Sequence, residues 1–344
     1  MGSGLKKVAV LLGDPSLEDH VKLGARFNDE DIDTVERLKK ALGSLKEYEF
    51  FYLNSHKTLF DDILKMPVDY VLNFCDEGYM NDPHKEADVP EFLENQAIPY
   101  TGAAPLCLRI CFDKSLVKSI AQFNRVNTAE YLVIKENAEI TDLELEYPAI
   151  VKPNFGDGSF AINRKSVVRS YEELKNQVEY VRQQMKSAGH KDASVLVEEY
   201  LAGNELTAAM IGNPPCIEMC LIEENFSVLP EGCIKIISKE AKWDPSAPEW
   251  NLTSGHPTIP KKIQGMIIEY SAKLFWILEC RDYARFDWRL DSRGVPHLLE
   301  ANPNCGWCWD GHLAKAFNLN GCDYASMLQK ILHSAEKRFK SNNS

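Results

Sequence analysis

The first hundred residues alternate between short apolar runs and segments with helical apolar spacing. Strands are predicted over 8–12, 49–53 and 68–74, and helices over 31–45, 59–65 and 89–95. A strand–helix–strand repeat of this kind folds into a parallel sheet with helices on its faces. Ligands bind such sheets at the carboxyl ends of the strands. The chain is therefore expected to begin with an α/β domain.

The remaining chain combines helices with strands in a different order. Strands are predicted over 130–134, 149–152, 160–162, 195–200, 205–211, 216–222, 284–290 and 297–300, and helices over 106–123 and 171–186, within 257–278 and beyond Asp323. Several of these strands follow one another with short turns, which indicates antiparallel pairing. The 344 residues are enough for two or three domains.

Charge and composition exclude some classes of function. The formal net charge of -12 disfavours a protein that reads nucleic acid, because a phosphate backbone is repelled by an acidic surface. No apolar run reaches the length of a membrane-spanning helix, so we expect no membrane partner. The ten cysteines are scattered and no export signal is recognised, which predicts reduced thiols and a cytoplasmic location.

A predicted hairpin carries two carboxylates, an amide and an arginine. Arg285 and Asp287 alternate on the first strand, and Glu300 and Asn302 alternate on the second. If the two faces coincide, three oxygen donors meet beside one guanidinium, and such donors suit Mg²⁺. The alternative is a solvated strand face with a salt-bridge network.

Lysines supply a second pattern. Lys152 ends an apolar strand, and a glycine-containing turn over 154–159 follows it. Backbone N–H groups of such a turn fold over phosphates, although an ordinary hairpin turn explains the same residues. The turn lacks the spacing of a phosphate-binding P-loop, and the chain has no G-x-G-x-x-G fingerprint.

A third pattern is an apolar strand that runs into charged residues. Val197 precedes Glu198, Glu199 and Tyr200, and Glu205 follows a short turn. One hypothesis is that this segment binds an adenine edge through its backbone groups, with Glu205 as an acceptor for ribose hydroxyls. A plain strand that ends in a charged turn is the alternative.

In this order and spacing, the motifs resemble the ATP-grasp superfamily and, within it, the D-alanine–D-alanine ligase family. The matching segments are Ile98-Pro99-Tyr100-Thr101-Gly102, Asp113-Lys114-x-x-x-Lys118, Ile150-Val151-Lys152-Pro153, Val197-Glu198-Glu199-Tyr200-Leu201-x-Gly203-x-Glu205, Glu240-Ala241-Lys242, Arg285-x-Asp287 and Leu299-Glu300-Ala301-Asn302-Pro303. The resemblance implies an ATP-grasp fold, α/β and α+β, in which two α+β lobes hold ATP between them. It implies an N-terminal pre-ATP-grasp α/β domain over 1–105, a central lobe over 106–194 and a C-terminal lobe with a metal site over 195–340.

The resemblance also implies roles for single residues. For the nucleotide, these are Lys114 and Lys152 on the phosphates, Glu198 and Leu201 at the adenine hinge, Glu205 on the ribose and Lys242 at the γ-phosphate. For the metals and substrates, they are Asp287, Glu300 and Asn302 around two Mg²⁺ ions, or Mn²⁺ in their place, Arg285 and the Gly306 N–H at the oxyanion, and Glu18 at the substrate ammonium.

The implied function is an ADP-forming carboxylate–amine ligase that joins amino acids or a small peptide through an acyl phosphate. Its implied partners are small-molecule substrates, and a homodimer is expected from the resemblance alone. Two alternatives are an ATP-binding regulatory protein without ligase activity and an ATP-grasp enzyme that phosphorylates another kind of substrate.

The segments expected to bind the substrates depart from the family pattern. Asp76 and Glu77 stand where the family has a histidine, the phosphate-covering loop reads Phe155-Gly156-Asp157-Gly158-Ser159, and Gly311 or His312 replaces a serine that contacts the substrate carboxylate. These changes predict an altered substrate pocket, and acidic residues there favour an amine-bearing substrate. The pair Cys305 and Cys308 has C-x-x-C spacing, for which redox chemistry, zinc binding and a plain pocket wall are the alternatives.

Overall fold

A computed structural model describes residues 5–19, 22–141, 145–156, 158–238 and 246–342. The described residues form three β-sheets, of three, four and five strands. The strands are β1 Lys6–Leu11, β2 Tyr48–Leu53, β3 Tyr70–Asn73, β4 Tyr131–Ile134, β5 Ala149–Pro153, β6 Val167–Val168, β7 Val195–Glu199, β8 Glu205–Asn213, β9 Cys216–Glu224, β10 Ser254–Gly255, β11 Tyr283–Leu290 and β12 Pro296–Asn302.

The N-terminal sheet is parallel, with strand order β2-β1-β3, as the alternating pattern predicts. Its helices are α1 Asp29–Gly43, α2 Leu59–Lys65 and α3 Asp88–Asn95. Val8 and Val10 pack into one core cluster, and Ala9 and Leu11 pack into another. Strand β1 is therefore buried on both faces, which is why it reads as a continuous apolar run.

The single helix predicted over 106–123 is wrong, because two helices lie there. Helix α4 spans Pro105–Phe112 and α5 spans Lys114–Phe123. Between them Asp113 has an extended backbone, and its side chain accepts a hydrogen bond from the Leu116 N–H at 3.1 Å. An aspartate N-cap satisfies an N–H group that has no partner inside the helix. The cap makes Lys114 the first residue of α5.

The strand predicted over 160–162 is also wrong, since the chain forms a turn there. Ser159 and Ala161 have positive φ angles of 63° and 55°, which a strand does not contain. The apolar residues of this segment instead pack against the core of the central sheet, to which Ala161 belongs.

The four-stranded sheet has the order β4-β7-β5-β6 and is antiparallel. Helix α6 spans Tyr171–Ser187 and covers one face of this sheet, where its Leu174 and Val178 pack against Val151 and Val197. Strands β5 and β7 lie side by side, so that Lys152 and Glu198 emerge from neighbouring strands.

The five-stranded sheet has the order β10-β9-β8-β11-β12. Its helices are α7 Lys261–Ile277, α8 His312–Leu319 and α9 Tyr324–Asn342, of which α8 was not predicted. Residues of α4, α5 and α7 share one core cluster with this sheet, and residues of α8 and α9 share another with the N-terminal sheet. The domain ranges 1–105, 106–194 and 195–340 stay a prediction. None of the helices in the described residues combines the length and apolarity needed to cross a bilayer.

A buried ion pair ties α9 to the start of β11. Arg338 Nη2 lies 2.6 Å from Asp282 Oδ2, and Asp282 is fully buried. We expect Arg338→Ala to lower the free energy of unfolding by ~3 kcal/mol, because it leaves a buried carboxylate without its cation. Urea titration measures this. The control, Lys330→Ala, removes an exposed pair with Glu218 and should cost less than ~1 kcal/mol. Equal effects of the two variants would contradict the prediction.

Candidate active site

A cavity of about 1010 Å³ lies where the three sheets meet. The central sheet contributes Lys152 and Glu198 to its wall, and the five-stranded sheet contributes Asp287 and Glu300. Helix α1 of the N-terminal sheet closes the opposite side. The volume is at the upper end of the range for small-molecule sites, which leaves room for more than one ligand.

The β11–β12 hairpin brings four predicted residues to one wall of this cavity. Arg285 pairs across the strands with Asn302, and Asp287 pairs with Glu300. The Arg285 guanidinium lies 3.0 Å from Asp287 Oδ2 and 3.6 Å from Glu300 Oε1. The faces of the two strands therefore coincide, and the alternating pattern is sufficient to bring these side chains together.

The oxygen donors on this wall fit a hard divalent cation. Asn302 Nδ2 lies 3.2 Å from Asp287 Oδ2 and 3.2 Å from Glu300 Oε1, so the amide and both carboxylates are adjacent. Within the described residues no three His, Cys, Asp or Glu side chains form a metal-binding group, and this set instead has two carboxylates and one amide. Mg²⁺ is commonly held by one or two carboxylates, with waters and phosphate oxygens as its other ligands.

Cations surround the carboxylates. Burial alone raises the pKa of Glu300, but Lys114, Arg285 and Lys152 together lower it to about 2, so that Glu300 is ionised at neutral pH. Lys114 is buried at the start of α5, and its Nζ contacts the Gly156 carbonyl. The first residue of α5 thereby reaches the loop that follows β5.

Glu198 is buried between two lysines. Its oxygens lie 2.7 Å from Lys118 Nζ and 2.8 Å from Lys152 Nζ, and the residue is 1% exposed. Burial raises the pKa of Glu198, but the two ammonium groups outweigh burial and lower it. The side chain predicted for the adenine hinge is therefore engaged with lysines, while Leu201 lines the cavity wall directly. Lys118 belonged to a recognised motif, but no role was assigned to it.

Glu205 lies at the start of β8 and pairs with Arg289, whose Nη1 is 2.8 Å from Glu205 Oε2. The Arg289 guanidinium also lies over the rings of Tyr200 and Phe226, at 5.2 and 5.4 Å from their centroids. Burial raises the pKa of Glu205 to about 7, although Arg289 opposes the shift. Sequence reasoning missed Arg289, yet the alternation that places Arg285 and Asp287 on one face extends to it.

Two predicted residues are not among those that the structure brings together. Lys242 lies in the segment 239–245, outside the described residues. Glu18 is exposed and lines a neighbouring cavity of about 450 Å³, together with Met80, Phe160 and His190.

One end of the cavity, lined by Asp76, Glu77 and Trp307, is acidic and aromatic. Trp307 Nε1 donates to Asp76 Oδ1 at 3.0 Å. Asp76 Oδ2 is the atom closest to where a side chain on Gly306 would begin. Glu77 Oε1 lies 3.5 Å from Lys22 Nζ. The two acids that replace the expected histidine therefore both face this region. Trp309, covered by the Arg37 guanidinium at 4.3 Å, extends the wall.

Cys308 is part of that wall, whereas Cys305 is not among the residues that line it, and both are unpaired thiols. Cys305 is buried in the core between the N-terminal sheet and α8. Burial raises the pKa of Cys305 to about 12 and also raises the pKa of Cys308. A thiol with a raised pKa is a poor nucleophile, which disfavours redox chemistry, and the position of Cys308 on the wall fits the plain-wall interpretation.

Comparison with known proteins decides the family. A family model described as the D-ala D-ala ligase C-terminus matches residues 117–333, which is more than half of the chain. The chain belongs to this family. It is an ATP-dependent carboxylate–amine ligase, and the fold predicted from the motifs is confirmed as ATP-grasp.

Two relatives illustrate the similarity to known proteins. The chain is 31% identical over 261 residues to an uncharacterized protein, y4sG, from Sinorhizobium fredii, with 74% of this chain and 71% of the relative covered. It is 28% identical over 256 residues to a D-alanine–D-alanine ligase from Clostridium botulinum, with 72% and 76% covered.

Solved structures share the fold. The D-alanine–D-alanine ligase from Bacillus anthracis complexed with ATP aligns with a TM-score of 0.72 and 19% identity, covering 98% of this chain and 99% of that chain. The VanG D-Ala:D-Ser ligase from Enterococcus faecalis aligns with a TM-score of 0.71 and 17% identity, covering 96% and 100%.

The raised pKa of Glu205 predicts a pH-dependent affinity for ATP. The motif places Glu205 on the ribose; a protonated carboxyl is a weaker acceptor for hydroxyl groups, and raising the pH through about 7 ionises Glu205. Calorimetric titration with Mg-ATP should show binding that tightens by up to ~10-fold over about two pH units.

Glu205→Gln should flatten this dependence. The nucleotide's own phosphate also titrates, but both proteins share that contribution, so the comparison isolates Glu205. Glu218→Gln, on the exposed face of β9, is the matched control and should behave like the wild type. The same pH dependence in Glu205→Gln as in the wild type would rule out a role for this carboxylate.

Proposed function

We propose that this ligase joins two amino acids, or an amino acid and a small peptide, with release of ADP and phosphate. The observation that carries the proposal is the cross-strand group of Arg285, Asp287 and Glu300, which faces the same cavity as Lys114 and Lys152. Paired carboxylates opposite lysines are the arrangement that a metal–triphosphate needs, with cations for its oxygens and anions for its metal.

The lysines of the cavity suit the phosphates of ATP. Lys114 and Lys152 would contact phosphate oxygens, and Lys242 would reach the γ-phosphate from the segment 239–245. The adenine would lie along the backbone after β7, beside Glu198 and Leu201, with Glu205 on the ribose hydroxyls.

The metal-binding part of the proposal assigns Mg²⁺ to Asp287, Glu300 and Asn302. Bound there, Mg²⁺ supplies neutralisation of charge between the triphosphate and an anionic carboxylate substrate. The three side chains would orient the phosphates relative to Arg285. Its guanidinium contacts the carboxylates of Asp287 and Glu300.

The proposed reaction has two steps. The carboxylate of the first substrate attacks the γ-phosphorus, its oxygen–phosphorus bond forms, and the bond to ADP breaks. The amine of the second substrate then attacks the carbonyl carbon of this acyl phosphate, and inorganic phosphate leaves with the electron pair of the broken carbon–oxygen bond. Arg285 and the Gly306 N–H would stabilise the oxyanion that forms on the carbonyl oxygen.

The substrates are expected to carry amines. Asp76, Glu77 and Asp310 line the substrate end of the cavity and attract cationic groups. Asp76 faces the central cavity, whereas Glu18 lines the neighbouring one, so Asp76 is the better-placed ammonium partner. D-alanine is one candidate substrate. Reduced thiols at all ten cysteines suit the proposed cytoplasmic location, and a homodimer stays a prediction.

Loss of either hairpin carboxylate should abolish turnover. Asp287→Asn and Glu300→Gln remove a negative charge from the proposed metal site but keep the shape of the side chain. ADP release across a panel of D- and L-amino acids measures turnover, and urea titration shows that the fold is retained. The control is Asp61→Asn, an exposed carboxylate on α2. Normal turnover in either hairpin variant would refute the metal assignment.

Removal of the oxyanion donor should slow turnover without removing the nucleotide site. We expect Arg285→Ala to reduce kcat by ~100-fold or more, the scale for the loss of one such donor. Arg293→Ala, at the exposed tip of the same hairpin, is the control and should leave kcat unchanged. Equal kcat values for Arg285→Ala and the wild type would exclude the oxyanion role.

A further inference from the structure

A histidine without an assigned role lies on the cavity wall beside Arg285. His312 is the first residue of α8, and its side chain is one-quarter exposed. Its Nε2 lies 3.1 Å from Glu224 Oε1, and its Nδ1 lies 3.5 Å from Arg285 Nη1. The Gly311 N–H donates to the Cys308 carbonyl at 3.0 Å, which fixes the entry of the chain into α8.

The partners of the imidazole determine which nitrogen carries the proton. A guanidinium donates hydrogen bonds and accepts none, so the Nδ1 that faces Arg285 is the acceptor. The proton is then on Nε2, which donates to Glu224. The lone pair of Nδ1 therefore points to the same region of the cavity as the proposed oxyanion donor.

Glu224 is held in position beside the imidazole ring. It is buried at the end of β9, and its Oε1 also accepts from the Ser254 hydroxyl at 2.7 Å. Burial raises the pKa of Glu224, but His312, the Ser254 hydroxyl and Lys315 together lower it below its usual value. A buried carboxylate behind an imidazole holds the ring in one orientation and stabilises its protonated form.

Amide formation needs a base at this point. An amine substrate arrives at neutral pH as an ammonium ion, which has no lone pair and attacks no carbonyl carbon. The nearby carboxylates have other proposed or observed partners: Asp287 and Glu300 are the proposed metal ligands, and Asp76 accepts from Trp307. His312 offers an accepting nitrogen next to the position where Arg285 would hold the oxyanion.

We propose that His312 is the general base of the amide-forming step and that Glu224 orients it, an inference that rests on the proposed ligase function. Nδ1 takes one proton from the substrate ammonium, and the neutral amine attacks the carbonyl carbon of the acyl phosphate. The new carbon–nitrogen bond forms, and the carbon–oxygen bond to phosphate breaks. The second nitrogen proton leaves with the phosphate, and the imidazolium returns its proton to solvent.

The charges around the ring come from several elements. The groups nearest to His312 are Glu224 on β9, Arg285 and Asp287 on β11, Lys315 on α8 and Asp310 in the loop before it. The contact with Glu224, at 3.1 Å, is shorter than the contact with Arg285, at 3.5 Å, so removal of the Glu224 charge should weaken the base.

A comparison of two nucleophiles tests the proposal. Hydroxylamine is largely unprotonated at neutral pH and traps an acyl phosphate as a hydroxamate without a base, whereas an amino acid needs its ammonium deprotonated. The probe is the amino acid that releases ADP fastest in the panel. In His312→Gln the rate of amide formation relative to hydroxamate formation should fall by ~100-fold or more, a typical contribution of a general base.

Two further variants complete the design. Glu224→Gln should also lower the rate of amide formation relative to hydroxamate formation. In His312→Gln, the fall in the rate of amide formation at acidic pH should disappear. The matched control is His333→Gln, another histidine near a glutamate, Glu47, but on the exposed side of α9. It should keep the wild-type ratio.

The outcomes separate this inference from the proposed function. An unchanged ratio in His312→Gln, or a parallel fall of both rates, overturns the general-base role while the ligase function stands. A wild-type protein that forms neither hydroxamate nor ADP with any amino acid overturns the proposed function, and the role of His312 with it. A selective fall in amide formation supports both.

Discussion

The cross-strand pairing of two carboxylates on the β11–β12 hairpin is the constraint around which the site is built. Asp287 and Glu300 face each other in the register and contact the same guanidinium, Arg285. Two acids this close repel one another unless cations share the space. Positive charge from Arg285 and the lysines therefore surrounds them, and the same balance prepares the cavity for a metal–triphosphate.

A second buried anion connects this hairpin to the central sheet. Glu198 on β7 binds Lys118, and Lys118 Nζ also lies 3.1 Å from the Leu298 carbonyl on β12. Lys118 is fully buried, and burial lowers its pKa to about 8 despite the pull of Glu198 in the other direction. The α5 helix thus holds two sheets at the distance that places lysines opposite carboxylates. Lys118 is not among the residues that line the cavity, but it links the two sheets that form part of its wall.

The apolar and polar pattern of the sequence was sufficient where a single strand or helix determines the position of a residue. The alternation along β11 placed Arg285 and Asp287 correctly, and the apolar runs of the first hundred residues identified the parallel sheet. It was insufficient where a single side chain overrides the pattern. The cap at Asp113 divides a continuous helical pattern, and left-handed backbone at Ser159 and Ala161 turns an apolar segment away from a strand.

Contacts between distant segments that no recognised motif marks were beyond prediction. His312 and Glu224 are 88 positions apart in the sequence. Neither residue lies in a motif that marks the two as partners. The role of Lys118 is of the same kind, because only the folded chain shows that its partners are Glu198 and a carbonyl of β12.

The most direct measurement is a crystal structure with Mg²⁺ and a non-hydrolysable ATP analogue. The account predicts metal ions at ~2.1 Å from oxygens of Asp287, Glu300 and Asn302, with phosphate oxygens as further ligands. It also predicts Lys114 and Lys152 on the phosphates. Nucleotide bound elsewhere, or metal ions that leave these three side chains without a contact, would contradict it.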